Sequence, residues 1–220
     1  MRINKFVARA TGMARRKVDS LIESGQITVN DQPARIGQPI SDEDTVKLAG
    51  RTLSIPEYTY LMVNKPVGYV CSRQGQKGSE TVYDLLPSQF RSLKLVGRLD
   101  KDSSGLIFLT DDGDFAHRML HPSFGKTKTY QVELDKTLSP EHAKQIEDGV
   151  ELDDGISKLQ LSDIKGKKLT VKMSEGRNRQ IRRTFIPLGY EVVALHRTNL
   201  GGYDLGQLGE GEHIKIDLTE

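Results

Sequence analysis

From Tyr60 onward the chain breaks into short apolar-rich runs, each about the length of one strand: YLMVNKP, GYVCS, LKLVGRL, GLIFLT, KTYQVEL, KLQLSDI, KLTVKM and YEVVALHR. Helical patterns fall between them at TVYDLLP, DFAHRMLH, SPEHAKQIEDG and NRQIRRTFIPLG. They do not alternate strand by strand, as a doubly wound parallel sheet requires. This irregular interleaving constrains the fold more than any other feature. It predicts an α+β domain over residues 60–220, built on a mostly antiparallel mixed sheet.

The first part of the chain obeys another rule. Ile3, Phe6, Val7 and Ala10 recur at helical spacing, and MARRKVDSLIESG repeats the pattern with Val18, Leu21 and Ile22 before Gly25 stops it. QITVNDQPARIGQPISDEDTVKL then alternates about an Asn-Asp turn and reads as short strands ending near Leu48. A small α+β module over 1–48 is therefore predicted. A linker follows over 49–59, where AGRTLSIPEY mixes Gly, Pro and polar residues.

Hydrophobic residues make up 36% and charged residues 28% of the chain, the balance of a soluble globular protein. The longest apolar stretches, such as LIFLT, are far too short to span a bilayer. MRINKFVARATG lacks the apolar core and cleavage site of a secretory signal. Cys71 is the sole cysteine, which excludes an intrachain disulfide framework and suits a reducing compartment. The expectation is a cytoplasmic protein, and a monomer. A formal net charge of +2 does not by itself declare a nucleic-acid binder. Distribution says more: cations gather at Arg15, Arg16 and Lys17 and again at Arg177, Arg179, Arg182 and Arg183, whereas acids gather at 42–44, 111–114 and 151–154. Such segregation lets one face be basic.

Arg15, Arg16 and Lys17 open the second predicted helix, where cations oppose the macrodipole. An anionic partner such as RNA phosphate supplies a reason for them, against the alternative of a solvated helix start. Asp100 stops an apolar run, and Asp102, Ser103, Ser104 and Gly105 complete a turn behind it. By spacing alone this is as well read as an Asx turn in a hairpin loop as it is a catalytic carboxylate. Lys65 closes a strand before Pro66, a position usually occupied by an ordinary strand-end residue. Cys71, with no histidine near it in sequence, reads as a small buried hydrophobe. His117 and His121 have i, i+4 spacing but lack the glutamate and third ligand of a zinc helix, and the DDGD turn at 111–114 lacks a calcium-loop pattern. No metal site is expected. If residues 178–189 are helical, Ile181, Phe185 and Leu188 share one face, Arg179 and Arg183 lie opposite, and Arg182 falls on the flank, suited to a cleft edge.

Two resemblances go further than spacing. Residues 1–48, with two helices and then Gly25, Ile27, Val29 and Asn30, resemble the S4 RNA-binding domain; Ala14 stands where such domains often place serine, so that a helix cap is left to Thr11 or is absent. Gly97-Arg98-Leu99-Asp100-Lys101-Asp102-Ser103-Ser104-Gly105-Leu106, followed by FLTDDGDFAHRMLHP, KTYQVEL and EGRNRQIRR in that order, resembles pseudouridine synthases. Together the two parts resemble the bacterial rRNA pseudouridine synthases of the RsuA-like family. GRLDKDSSGLIFLTDDGD and NRQIRRTF look closer to the large-subunit, 23S rRNA members.

The resemblance implies an isomerase that needs no cofactor and no metal, with ribosomal RNA or a pre-ribosomal particle as partner. Asp100 corresponds to the catalytic aspartate, Tyr130 to the base-stacking tyrosine, Arg182 to the arginine paired with the aspartate, and Ile181 to the apolar residue under the base. Arg98, Lys65, Arg177, Arg179 and Arg183 are candidate substrate contacts. Arg15, Arg16 and Lys17 are candidate RNA contacts. For Tyr130 the plain alternative is sheet packing, and for Arg179 and Arg183 a solvated face. An aspartate-nucleophile phosphohydrolase also fits Asp-x-Asp-x-Ser, but needs βαβ units and a later acidic pair that the sequence lacks. A catalytically inactive S4-type RNA-binding or ribosome-assembly factor is the other alternative.

Overall fold

The computed structural model describes residues 1–55, 57–75 and 78–218. The chain divides into two compact units, Met1–Glu57 and Tyr58–Glu220.

In the small unit, α1 (Ile3–Thr11) ends on Gly12 in the left-handed region, φ 74°. α2 (Arg15–Glu23) starts at Ala14 with no side-chain cap; the Thr11 hydroxyl donates back to the Val7 carbonyl at 2.6 Å and accepts from the Met13 N–H at 3.4 Å instead. β1 (Ile27–Val29), β2 (Gln32–Pro33), β3 (Val46–Leu48) and β4 (Arg51–Thr52) form a sheet in the order β2-β1-β3-β4. Asn30 and Asp31 both have positive φ, 51° and 65°, the backbone of a type I′ hairpin, so the Asn-Asp turn fixes the register of β1 on β2. Ile3, Val7, Val18, Ile22, Ile27, Val29 and Val46 make the core. The stretch expected as linker, 49–59, begins inside this sheet: β4 pairs with Lys47 and Leu48, and Leu53 packs on the core. The Ala49-Gly50 turn that allows it has φ of 48° and 81°, and alanine gave no turn signal in the sequence. Pro56 lies outside the described residues.

The large unit is one mixed sheet with helices packed on it. Its elements are β5 (Tyr60–Lys65), β6 (Lys94–Val96), β7 (Ser104–Thr110), α3 (Gly113–Leu120), β8 (Lys128–Leu134), α4 (Pro140–Asp148), β9 (Val150–Leu152), β10 (Gly155–Ser157), β11 (Gln160–Lys165), β12 (Lys168–Met173), α5 (Gln180–Phe185), β13 (Val192–Leu200), β14 (Tyr203–Asp204) and β15 (His213–Ile216). Strand order is β11-β12-β8-β13-β7-β5-β15, with β6 added to β7 and β14 to β13; β9 and β10 pair apart. Among the described pairings in this sheet only β13 on β7 is parallel, so the mostly antiparallel α+β expectation matches. TVYDLLP yields a 3₁₀ turn, Val82–Leu85, rather than an α-helix.

β7 explains the GLIFLT run. Leu106 and Phe108 enter one core with Val96, Phe115 and Met119, while Ile107 and Leu109 enter the other with Leu61, Val63 and Val132. Both faces of the strand are covered, so alternation disappears and a continuous apolar run replaces it. β6 and β13 share the edge of β7 opposite β5: β6 takes Phe108–Thr110 and β13 takes Ser104 and Gly105. Between them the loop 97–103 swings out. Gly105, at φ 105°, sits where β13 abuts; a Cβ there would lie 2.3 Å from the Arg197 carbonyl oxygen, so any side chain would part the two strands.

Candidate active site

The loop carrying Asp100 opens onto a cavity of about 510 Å³ walled by β8, β13, the segment 173–179 and the start of α5. Leu99 is buried and its backbone N–H donates to the Cys71 sulfur at 3.3 Å, which anchors the loop just before Asp100. Burial pushes the Cys71 thiol up, consistent with a packed, inert sulfur rather than a nucleophile. Ser103 N–H donates to the Asp100 carbonyl at 3.1 Å and closes the turn. Asp100 is left with its carboxylate at the cavity, 36% exposed, and an Arg179 nitrogen 3.6 Å away.

The arginines are distributed differently from the helical-wheel expectation. α5 begins at Gln180, and Arg179 caps it in a left-handed conformation, φ 47°, uncommon for a residue with a side chain. It donates to both carboxylate oxygens of Asp102, at 2.9 and 2.8 Å. Asp102, not Asp100, also receives Arg182: Nη2 donates to its carbonyl at 2.8 Å and Nε faces its carboxylate at 3.2 Å without hydrogen-bond alignment. Nη1 of Arg182 donates to the Val192 carbonyl. The arginine expected to pair with Asp100 thus braces the neighbouring Asp102, and the guanidinium nearest Asp100 is that of Arg179. The hydrogen-bonded Arg179, then Arg182, hold the Asp102 carboxyl below the usual carboxylate range.

Tyr130 and Ile181 do line the cavity, 8% and 4% exposed. Arg98 stands exposed at its rim. Arg177 touches the cavity, but its terminal nitrogens are taken by Asp154, the Gly155 and Ile156 carbonyls and Glu175. Arg183 turns to Asp153 and Asp154. Lys65 is fully buried away from the cavity lining, and its ammonium donates to the Pro66 and Tyr69 carbonyls at 2.7 and 2.9 Å, fixing the turn after β5. Burial lowers its pKa.

Sequence reasoning passed over Ser103, Lys128 and Arg197, all of which line the cavity. Lys128 precedes Tyr130 by two in a strand, which places both on one face. Arg197 is a charge inside an apolar strand, paired directly with Tyr130. Those were the available signals. His117 and His121 lie with ring centroids 4.9 Å apart against Phe124. Among the described residues no cluster of His, Cys, Asp and Glu could hold a metal ion, and no helix is long and apolar enough to cross a membrane.

Comparison with known proteins gives consistent results. Residues 59–186 match the family described as RNA pseudouridylate synthase, and residues 1–46 match the S4 domain. The ribosomal large subunit pseudouridine synthase B of Bacillus subtilis (strain 168) is 32% identical over 227 residues, covering 100% of this chain and 93% of that protein. The ribosomal small subunit pseudouridine synthase A of Yersinia pestis is 34% identical over 226 residues, covering 100% and 96%. A crystal structure of a pseudouridylate synthase superposes with a TM-score of 0.69 at 31% identity, covering 99% of this chain and 96% of that one.

Proposed function

Because this chain belongs to the RNA pseudouridylate synthase family and begins with an S4 domain, we propose that it isomerises one uridine of ribosomal RNA to pseudouridine, with 23S rRNA as the substrate. The observation that carries the reading is a partly exposed carboxylate, Asp100, held at a cavity walled by Tyr130 and Ile181. A uridine flipped from its stack brings its base against the Tyr130 ring and Ile181, and its ribose to Asp100. The carboxylate then attacks C1′, or removes a ribose proton, as the N1–C1′ bond breaks. The base turns within the cavity, C5 bonds to C1′ as the C1′–Asp100 bond breaks or the ribose proton returns from the carboxylate, and the C5 proton is then lost while N1 takes one up from water. Atoms and oxidation level are conserved, so the net reaction consumes no oxidant, reductant or co-substrate.

Arg182, in this reading, acts through Asp102: it braces the loop so that Arg179 stays beside the Asp100 carboxylate and directs it. Arg98 and Arg179 at the rim meet phosphates. Arg177 and Arg183 support the wall, and Lys65 the turn after β5. Arg15, Arg16 and Lys17, exposed at the start of α2, bind phosphates elsewhere on the rRNA or on a pre-ribosomal particle. We place the activity in the cytoplasm, with the protein as a monomer.

The preference for 23S rests on GRLDKDSSGLIFLTDDGD and NRQIRRTF; named relatives of similar identity act on either subunit. Mapping pseudouridines in rRNA from cells with and without the gene tests both levels. Loss of one 23S site is expected. Loss of a 16S site rejects the 23S assignment, and an unchanged map rejects the isomerase reading.

A further inference from the structure

Arg197 is 3% exposed, yet one of its terminal nitrogens, Nη2, has no hydrogen-bond partner among the described residues. Its Nε donates to the Leu106 carbonyl at 2.7 Å, which explains how β13 is tied to β7 and leaves Nη2 unexplained. A buried guanidinium normally uses its donors, since an unpaired buried donor is costly. Arg197 pairs across the sheet with Tyr130, and Lys128 precedes Tyr130 by two in β8, so the three side chains share one face. All three line the cavity. Neither cation is paired with a carboxylate among the described residues; Lys128 donates to the Glu175 carbonyl at 3.2 Å. Burial and then the Arg197 charge push the Lys128 ammonium pKa down, while Glu175 opposes the shift. A buried and a half-buried cation beside one aromatic ring are poorly suited to a purely structural role, because two like charges without a counter-ion weaken a core.

Chemistry at this cavity produces an anion at one moment. When N1–C1′ breaks, its electron pair stays on N1 and spreads over O2 and O4, giving a uracil anion; C1′ is satisfied by a bond to an Asp100 oxygen or by loss of a ribose proton to it. We propose that Arg197 and Lys128 grip the oxygen edge of the uracil lying on Tyr130 and stabilise that anion, making them further catalytic residues. The proposal rests on the isomerase reading. A phosphate is the other anion they could hold. Phosphates belong with the exposed rim arginines, whereas Arg197 lies on the buried sheet face with Tyr130.

The test uses two measurements on the full chain. The first is calorimetric titration at pH 8 with 5-nitrouracil, whose ring is then a monoanion, against neutral uracil and inorganic phosphate. Wild type should bind 5-nitrouracil more tightly than uracil, with phosphate not competing, and Lys128→Met and Arg197→Met should each weaken 5-nitrouracil at least about tenfold while leaving uracil little changed. The second is single-turnover tritium release from 5-tritiated rRNA transcripts, where loss of one preorganised donor to a developing anion costs about 10²–10³-fold in rate. That loss should fall on kcat with KM for the transcript unchanged, and Arg197→Lys should restore part of it. Should Arg197→Met misfold, Lys128→Met, at a half-buried position, decides the matter. Equal wild-type affinity for 5-nitrouracil and uracil, competition by phosphate, or a kcat retained in Lys128→Met would each overturn the proposal. A wild type that binds 5-nitrouracil through these residues but leaves rRNA unchanged would reject the isomerase reading instead and leave the anionic-base site standing.

Discussion

Two acidic turns draw on the same arginine-rich segment and end differently. At the turn between β9 and β10, Asp153 and Asp154 are matched by Arg183, and Arg177 adds bonds to Asp154 and to the carbonyls beside it. At the turn before β7, Asp102 takes Arg179 in a two-pronged contact and Arg182 alongside, while among the described residues the Asp100 carboxylate receives only the 3.6 Å approach of Arg179. One turn is saturated and faces outward as a brace. The other spends one aspartate on bracing and keeps the second at a cavity, which is the arrangement a reactive carboxylate needs.

The sharpest way to break this comparison is to neutralise one acid in each turn. Asp100→Asn should lower isomerisation at least about 10³-fold, within the range for a lost general base or nucleophile, with an unchanged melting temperature. Asp154→Asn should leave the rate within about twofold and lower the melting temperature instead. Tritium release and thermal denaturation of both proteins read the two effects, and a reversal of the pattern would dismiss Asp100.

A second basic cluster extends the comparison. Among the described residues Arg15, Arg16 and Lys17 make no salt bridge to an acidic turn; Arg15 donates to the Asn4 side-chain amide oxygen at 3.2 Å. Replacing all three by alanine should reduce the slope of log K against log salt by up to about 2–3 units, about one for each lost phosphate contact. Filter binding to rRNA between low and moderate salt measures it, and an unchanged slope would return the triplet to a solvated helix face.

Smaller still is the effect of Asp102, which separates bracing from chemistry. Its folded pKa is depressed by Arg179, so it stabilises the fold above the unfolded carboxyl value, about 3.9, and that contribution is lost as pH falls through the folded value. Asp102→Asn should therefore remove part of the steepness of acid unfolding below about pH 4 and cost about tenfold in rate, against the far larger loss in Asp100→Asn. An acid-unfolding curve superimposable on wild type would show the clamp to be inconsequential. The least effect is expected for Arg183→Ala, whose partners are largely solvent-exposed: a urea midpoint lowered only slightly, with the rate unaltered.

Much of this is legible in the amino-acid sequence. The two-part division, the helix pair with buried Val18 and Ile22, the Asn-Asp hairpin, and a strand-rich domain with Asp100 in the turn ahead of β7 all follow from patterns within a few residues, because period and turn chemistry are local properties. The motif order carried Tyr130 and Ile181 to the same site. What the sequence could not contain is which arginine meets which acid. That depends on where β13 enters the edge of β7, on Gly105 yielding room for it, and on Arg179 turning left-handed at the start of α5. Those are contacts between residues 77 to 92 apart in the chain. Arg182 bracing Asp102, and Arg197 standing beside Tyr130 with an unused donor, were therefore decided by the tertiary structure alone: charges are assigned by distance in space, and distance in space is set only when the sheet has closed.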